Sequence, residues 1–187
     1  DESMEDYVRM CVYGKTGSGK STLGVTAPKP FIVLSERQGY MAVADAARRL
    51  GIPTPPTLWC ESLEDVRAVI RALRSDEHEP IPTALRAVLG DGPEVEEKIQ
   101  RLPYVKPETV VADSVTDIFN LIAVDIERVA GKKIGKDGLE SKPERFWGVL
   151  RDRSEALIRA FRDLPYHLLF LALLTDAEIG EGDENSR

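Results

Sequence analysis

Nine consecutive residues, Gly14, Lys15, Thr16, Gly17, Ser18, Gly19, Lys20, Ser21 and Thr22, carry the clearest chemistry in the chain. They satisfy the pattern GxxxxGK[ST] at every fixed position, and each position has a physical task. The glycines let the backbone turn its N–H groups inward around a β-phosphate. The helix expected to open at Lys20 adds partial positive charge at its start. Lys20 is spaced to reach β- and γ-phosphates, and Ser21 to place its hydroxyl on Mg²⁺. Thr22 either faces the α-phosphate side or begins the helix. The stretch therefore implies a nucleoside triphosphate bound with Mg²⁺. A plain Gly/Ser turn would leave the lysine at its fixed place unexplained.

A magnesium–nucleotide site also needs a carboxylate at the end of a neighbouring buried strand. Thr109-Val110-Val111-Ala112-Asp113 supplies one, with Asp113 as the second magnesium residue beside Ser21; capping of the next helix is the other reading of Asp113. Ser114 is equally suited to capping that helix or to bonding phosphate or water. A hydrolase further needs a group that orients or deprotonates water. Glu36, just past Phe31-Ile32-Val33-Leu34-Ser35, fits that role from the carboxyl edge of the sheet, where open α/β folds bind ligands. An exposed loop glutamate is its bland alternative.

These residues need a scaffold that brings strand ends together. Apolar runs at Val8 to Tyr13, Phe31 to Ser35, Thr57 to Cys60, Thr109 to Ala112 and Leu168 to Leu174 read as buried strands. Between them lie helical patterns. Met41 to Leu50 is stopped by Gly51 and Pro53, and Ser62 caps a helix with Leu63, Val66, Ile70 and Leu73 on one face. Val115, Ile118, Phe119, Ile122, Ile126 and Val129 form a second apolar stripe, and Phe146, Leu150, Leu157 and Phe161 a third. Alternating apolar strands and amphipathic helices predict a three-layer α/β fold with a mainly parallel central sheet. Residues 76–106, with Pro80, Pro82, Pro93 and Pro103, break the rhythm and read as an insertion holding helices near Ala84 to Leu89 and Val95 to Leu102.

With 187 residues and 42% hydrophobic content, the chain suits one domain over 1–187, with flexible polar ends at 1–5 and 180–187. More chain beyond Arg187 is compatible with the abrupt ending. The net charge of −7 opposes a surface that coats nucleic acid generally, yet leaves room for a local basic loop. Cys11 and Cys60 lie in apolar runs without CxxC or nearby His, and read as buried thiols rather than metal ligands. The longest apolar run is too short to span a bilayer, and no secretory leader is evident, so a cytoplasmic setting without membrane contact is expected.

The phosphate loop, the glutamate in Ser35-Glu36-Arg37-Gln38-Gly39 and the strand ending Val110-Val111-Ala112-Asp113-Ser114 together resemble the RecA-like P-loop NTPase core. The short path through Ala27-Pro28-Lys29-Pro30 is similar to phage-encoded RecA-type ATPases, including the single-strand annealing Sak group. Ser114 stands where many phosphate-loop ATPases have their catalytic glutamate, which puts the base elsewhere. The resemblance covers most of residues 7–180 and leaves 76–106 unmatched. It implies ATP hydrolysis coupled to single-stranded DNA by a homo-oligomer, with Lys20, Ser21, Asp113 and Glu36 in their roles. By position, Thr175 or Asp176 ends the fifth strand where the family senses the γ-phosphate, though neither has the amide common in RecA. A DNA-facing loop is implied after the helix that follows Asp113. Ala130-Gly131-Lys132-Lys133-Ile134-Gly135-Lys136-Asp137-Gly138 fits it, with Lys132, Lys133 and Lys136 as phosphate contacts and a solvated loop as the alternative. No aromatic residue interrupts it, so base stacking there is not evident.

Two other functions share the phosphate loop. A small-molecule kinase would carry an arginine-rich lid, for which Arg145 and Arg151 to Arg153 are the nearest candidates, on a regular helix. A nucleotide-gated phage assembly protein with slow hydrolysis shares every motif and differs only at Glu36. NKxD and LSGGQ-like elements are absent from the sequence, which disfavours GTPases and ABC-type ATPases. Tyr13 and Tyr40 are candidates for stacking on the base.

Overall fold

The computed structural model describes residues 7–75, 79–100, 102, 106–130, 133–134, 140–141 and 145–174. Within them the strands are β1 (Arg9–Gly14), β2 (Pro30–Leu34), β3 (Thr57–Trp59), β4 (Thr109–Asp113), β5 (Lys133–Ile134), β6 (Glu140–Ser141) and β7 (His167–Leu173). The helices are α1 (Lys20–Val25), α2 (Gly39–Leu50), α3 (Leu63–Arg74), α4 (Ile81–Leu89), α5 (Pro93–Ile99), α6 (Val115–Ala130) and α7 (Phe146–Arg162). Five strands form one sheet in the order β1-β7-β4-β2-β3, and every pairing in it is parallel. Parallel neighbours require crossovers, which the helices supply. The short β5 and β6 pair antiparallel with each other.

Side-chain alternation along β2 shows why the fold has three layers. Phe31 and Val33 join the core under α3, α4, α5, α6 and α7, while Ile32 and Leu34 join a smaller core with Val25 of α1 and Val43 and Ala46 of α2. Both faces of the strand are thus buried, as a continuous apolar run in a parallel sheet requires. α1 approaches the sheet closely because Gly24 lacks a side chain: a Cβ there would stand 3.1 Å from Val111 Cγ1. α3 starts with a capping box, in which Asp65 N–H donates to Ser62 Oγ and the Asp65 carboxylate accepts from Ser62 N–H. α2 ends on Gly51 in the left-handed conformation. The helices α4 and α5 are not a separate lobe, since Ile81, Leu85 and Ile99 are buried in the larger core.

Three expectations fail. β1 is not a buried strand: it lies at the sheet edge with β7 as its one neighbour among the described residues, and Val8, Met10 and Tyr13 are exposed, Tyr13 to 72%. Cys11 on the same strand is exposed for the same reason, whereas Cys60 is buried as expected. Val129, taken as the last member of the α6 stripe, is 66% exposed, because the buried part of that helix ends at Ile126. Among the described residues no helix is long and apolar enough to cross a membrane.

Candidate nucleotide site

The carboxyl ends of β1, β2 and β4 open onto one cleft of about 430 Å³. Thr16, Gly17, Gly19, Lys20, Ser21 and Thr22 line it from one side, and Glu36, Asp113 and Asp117 from the other. The loop between β1 and α1 has its shape because Gly17 and Gly19 take φ values of +78° and +89°, where side chains are strained. Gly19 then leads directly into the first turn of α1. Lys20 is folded back over this loop, its Nζ donating to the carbonyls of Gly14 at 2.7 Å and Lys15 at 2.9 Å. Its ammonium is thereby held within the cradle of the loop rather than extended into solvent.

Ser21 and Asp113 are 92 positions apart and meet here, with Ser21 Oγ donating to Asp113 Oδ2 at 2.7 Å. Asp113 is placed by β4, whose preceding residues Val110, Val111 and Ala112 are completely buried. That burial pushes the Asp113 carboxyl above its usual range; the Ser21 hydrogen bond and the Lys20 charge oppose the rise, and the nearby Asp117 charge adds to it. Hard oxygen donors of this kind suit Mg²⁺, which is ordinarily held by one or two side chains together with water and phosphate oxygens. No group of three or more His, Cys, Asp or Glu forms a self-sufficient metal cage among the described residues. The donor set therefore fits a cation that shares its ligands with a nucleotide.

Ser114 follows a cis Asp113–Ser114 peptide. Its Oγ accepts from Asp117 N–H at 3.2 Å and donates to the Asp117 carboxylate, so the geometry favours its capping role for α6. Two residues further on, Thr116 accepts from Leu173 N–H at 3.0 Å and ties the start of α6 to the end of β7. Glu36 is exposed at the rim of the cleft, where Gly39 N–H donates to its carbonyl at 3.3 Å and closes a turn between β2 and α2.

The structure also brings in residues that the motifs did not single out. Asp117 lines the cleft one helical turn after Asp113, and Asp45 and Arg49 line it from α2. Asp117 was within reach of sequence reasoning, since a residue in the first turn of a helix that begins at a strand end faces the same opening. Asp45 and Arg49 needed the packing of α2 against α1. Arg48 and Arg49 hold the Asp45 carboxylate below its usual range. Tyr40 is partly buried against the α1–α2 core, and Tyr13 projects outward. Lys133 lies in β5, paired with Ser141. Lys132, Lys136, Thr175 and Asp176 lie outside the described residues, as do both polar ends.

Among protein families, the model described as an AAA domain matches residues 6–187, almost the whole chain. No curated protein matches. A phosphate loop at the carboxyl edge of a parallel sheet, a lysine inside its cradle and a hydroxyl–carboxylate pair beneath it agree with that match. The chain belongs to the AAA domain family, as a P-loop, nucleotide-binding ATPase domain.

Proposed function

We propose that the chain is a magnesium-dependent ATP hydrolase of the RecA type, similar to the phage Sak-group ATPases, that acts on single-stranded DNA in recombination or replication as a homo-oligomer. The observation that carries the hydrolase reading is the Ser21–Asp113 hydrogen bond at 2.7 Å beside a cleft that Glu36 also lines. Bound Mg²⁺ would neutralise phosphate charge and polarise the transferred phosphoryl group. Gly14 to Thr22 bind the triphosphate through backbone N–H groups, and Lys20 leaves the Gly14 and Lys15 carbonyls to pair with phosphate oxygens. Ser21 and Asp113 hold the metal. Glu36 orients water and accepts its proton, a task for which Ser114, engaged in capping α6, has no carboxylate to offer. Thr175 reports the state of the γ-phosphate, and Lys132, Lys133 and Lys136 contact DNA phosphates. These last roles rest on the resemblance and on the charge of the segment.

The test is ATP turnover with and without single-stranded DNA, in wild type and Glu36→Gln, with DNA binding followed at several salt concentrations. Turnover should require Mg²⁺, rise with DNA, and fall by roughly 100-fold in Glu36→Gln while ATP binding persists. Replacing Lys132, Lys133 and Lys136 by alanine should flatten the salt dependence of DNA binding. DNA-independent turnover with phosphate appearing on a metabolite would replace this reading with a kinase.

A further inference from the structure

The helices α4 and α5 contribute to the core, but one contact carries them toward the cleft. Glu97 of α5 pairs with Arg37, the residue that directly follows Glu36. The Arg37 guanidinium also lies over the Trp59 ring, 5.2 Å from its centroid. Trp59 is only 7% exposed and ends β3, so it is a rigid platform. We propose that the Arg37–Glu97 pair, seated on Trp59, positions Glu36 in the cleft, making the α4–α5 segment a support for the catalytic turn. This inference rests on the reading of Glu36 as the residue that handles water.

Three features give the pair that capacity. Arg37 and Glu36 share a four-residue turn closed by Gly39 N–H, and Tyr40 N–H donates to the Arg37 carbonyl at 3.2 Å, so a rotation at one residue turns the other. Glu97 in turn has a fixed backbone. Ile99 is buried in the core, and Lys98, 11% exposed, donates to Asp65 Oδ2 at 2.9 Å, the carboxylate that caps α3. Burial alone would lower the Lys98 pKa, but the Asp65 hydrogen bond and the Asp65 and Glu61 charges hold it above the usual lysine value. The Arg37 and Glu97 side chains are themselves 64% and 46% exposed, where an ion pair adds little to stability. Its effect is therefore on orientation, and small displacements of a catalytic group matter far more to rate than to folding.

The experiment measures kcat, KM for ATP and melting temperature in Arg37→Ala, Glu97→Gln, their double variant and the same changes in a Glu36→Gln background under single-turnover conditions. Arg86→Ala, which breaks the two-bond Arg86–Glu96 pair on the same segment, is the control. Arg37→Ala and Glu97→Gln should each lower kcat on the order of tenfold with KM and melting temperature almost unchanged, and Arg86→Ala should not. The double variant should be no slower than the slower single variant, because the pair acts as one unit. In the Glu36→Gln background neither change should slow the reaction further. A full loss in Glu36→Gln with turnover within twofold of wild type in both Arg37→Ala and Glu97→Gln overturns the positioning role alone. An undiminished effect of Arg37→Ala in the Glu36→Gln background overturns it too. Unchanged turnover in Glu36→Gln itself overturns the reading of Glu36 and this proposal with it.

Discussion

Strands β1 and β4 carry the two halves of the cleft in opposite surroundings. β4 pairs with β2 on one side and β7 on the other, and its Val110, Val111 and Ala112 are fully buried between the two helix layers. β1 pairs with β7 and presents Met10, Cys11 and Tyr13 to solvent. The residues they deliver differ accordingly. Asp113 is set by the core, with a carboxyl whose charge is disfavoured by burial, while the loop from Gly14 to Gly19 is shaped by its own backbone and by the Lys20 ammonium bonded to two of its carbonyls. One half of the site is placed by packing and the other by local geometry. Mutations should therefore separate along that line.

The largest separation is expected for Lys20→Ala. It should lower ATP turnover by 100-fold or more, on the order of the loss of one preorganised charge in a transition state, with little change in melting temperature. A large loss of stability instead would mean that the lysine also holds the edge of the sheet together. Next in size, Val111→Ala should destabilise the fold by roughly 2 kcal/mol, as cavity-forming changes in a packed core do, whereas Met10→Ala should stay within about 0.5 kcal/mol in urea unfolding. Equal values at the two sites would erase the contrast between central and edge strand.

A smaller effect is expected with pH. Because the folded protein favours the protonated Asp113, ionising it as pH rises through its raised pKa lowers stability, while binding of Mg²⁺ needs the ionised form. Magnesium-dependent nucleotide affinity should thus fall on acidification at a higher pH than an ordinary aspartate would give, as read by titration calorimetry. In Asp113→Asn that pH dependence should vanish. The smallest effect is chemical. A thiol reagent should modify Cys11 in the native protein and reach Cys60 only after unfolding, since Cys60 is buried and its thiol is pushed far above the usual range. Rapid modification of both would contradict the placement of β3.

Much of this was legible in the residues. The loop Gly14 to Thr22 is defined by spacing alone, and the apolar run before Asp113 marks a strand buried on both faces. Glu36 followed from its place after a strand, and it lines the cleft. The edge position of β1 was not legible, because an apolar run reports that a strand joins a sheet but not which neighbours it acquires. Tyr13 and Cys11 were misjudged for that reason. Asp45 and Arg49 depend on how α2 packs, and the Arg37–Glu97 pair joins residues 60 apart across two elements. Such contacts are products of the tertiary arrangement, beyond the reach of periodicity or capping signals.

The central claim is that Ser21 and Asp113 form the metal end of an ATP site. Calorimetric binding of a non-hydrolysable ATP analogue, with and without Mg²⁺, in wild type and Asp113→Asn, tests it most directly. Mg²⁺ should strengthen binding to the wild-type protein and have almost no effect on Asp113→Asn, whose nucleotide-free stability should be unchanged or higher because a buried charge is gone. An equal gain from Mg²⁺ in both proteins would contradict the claim.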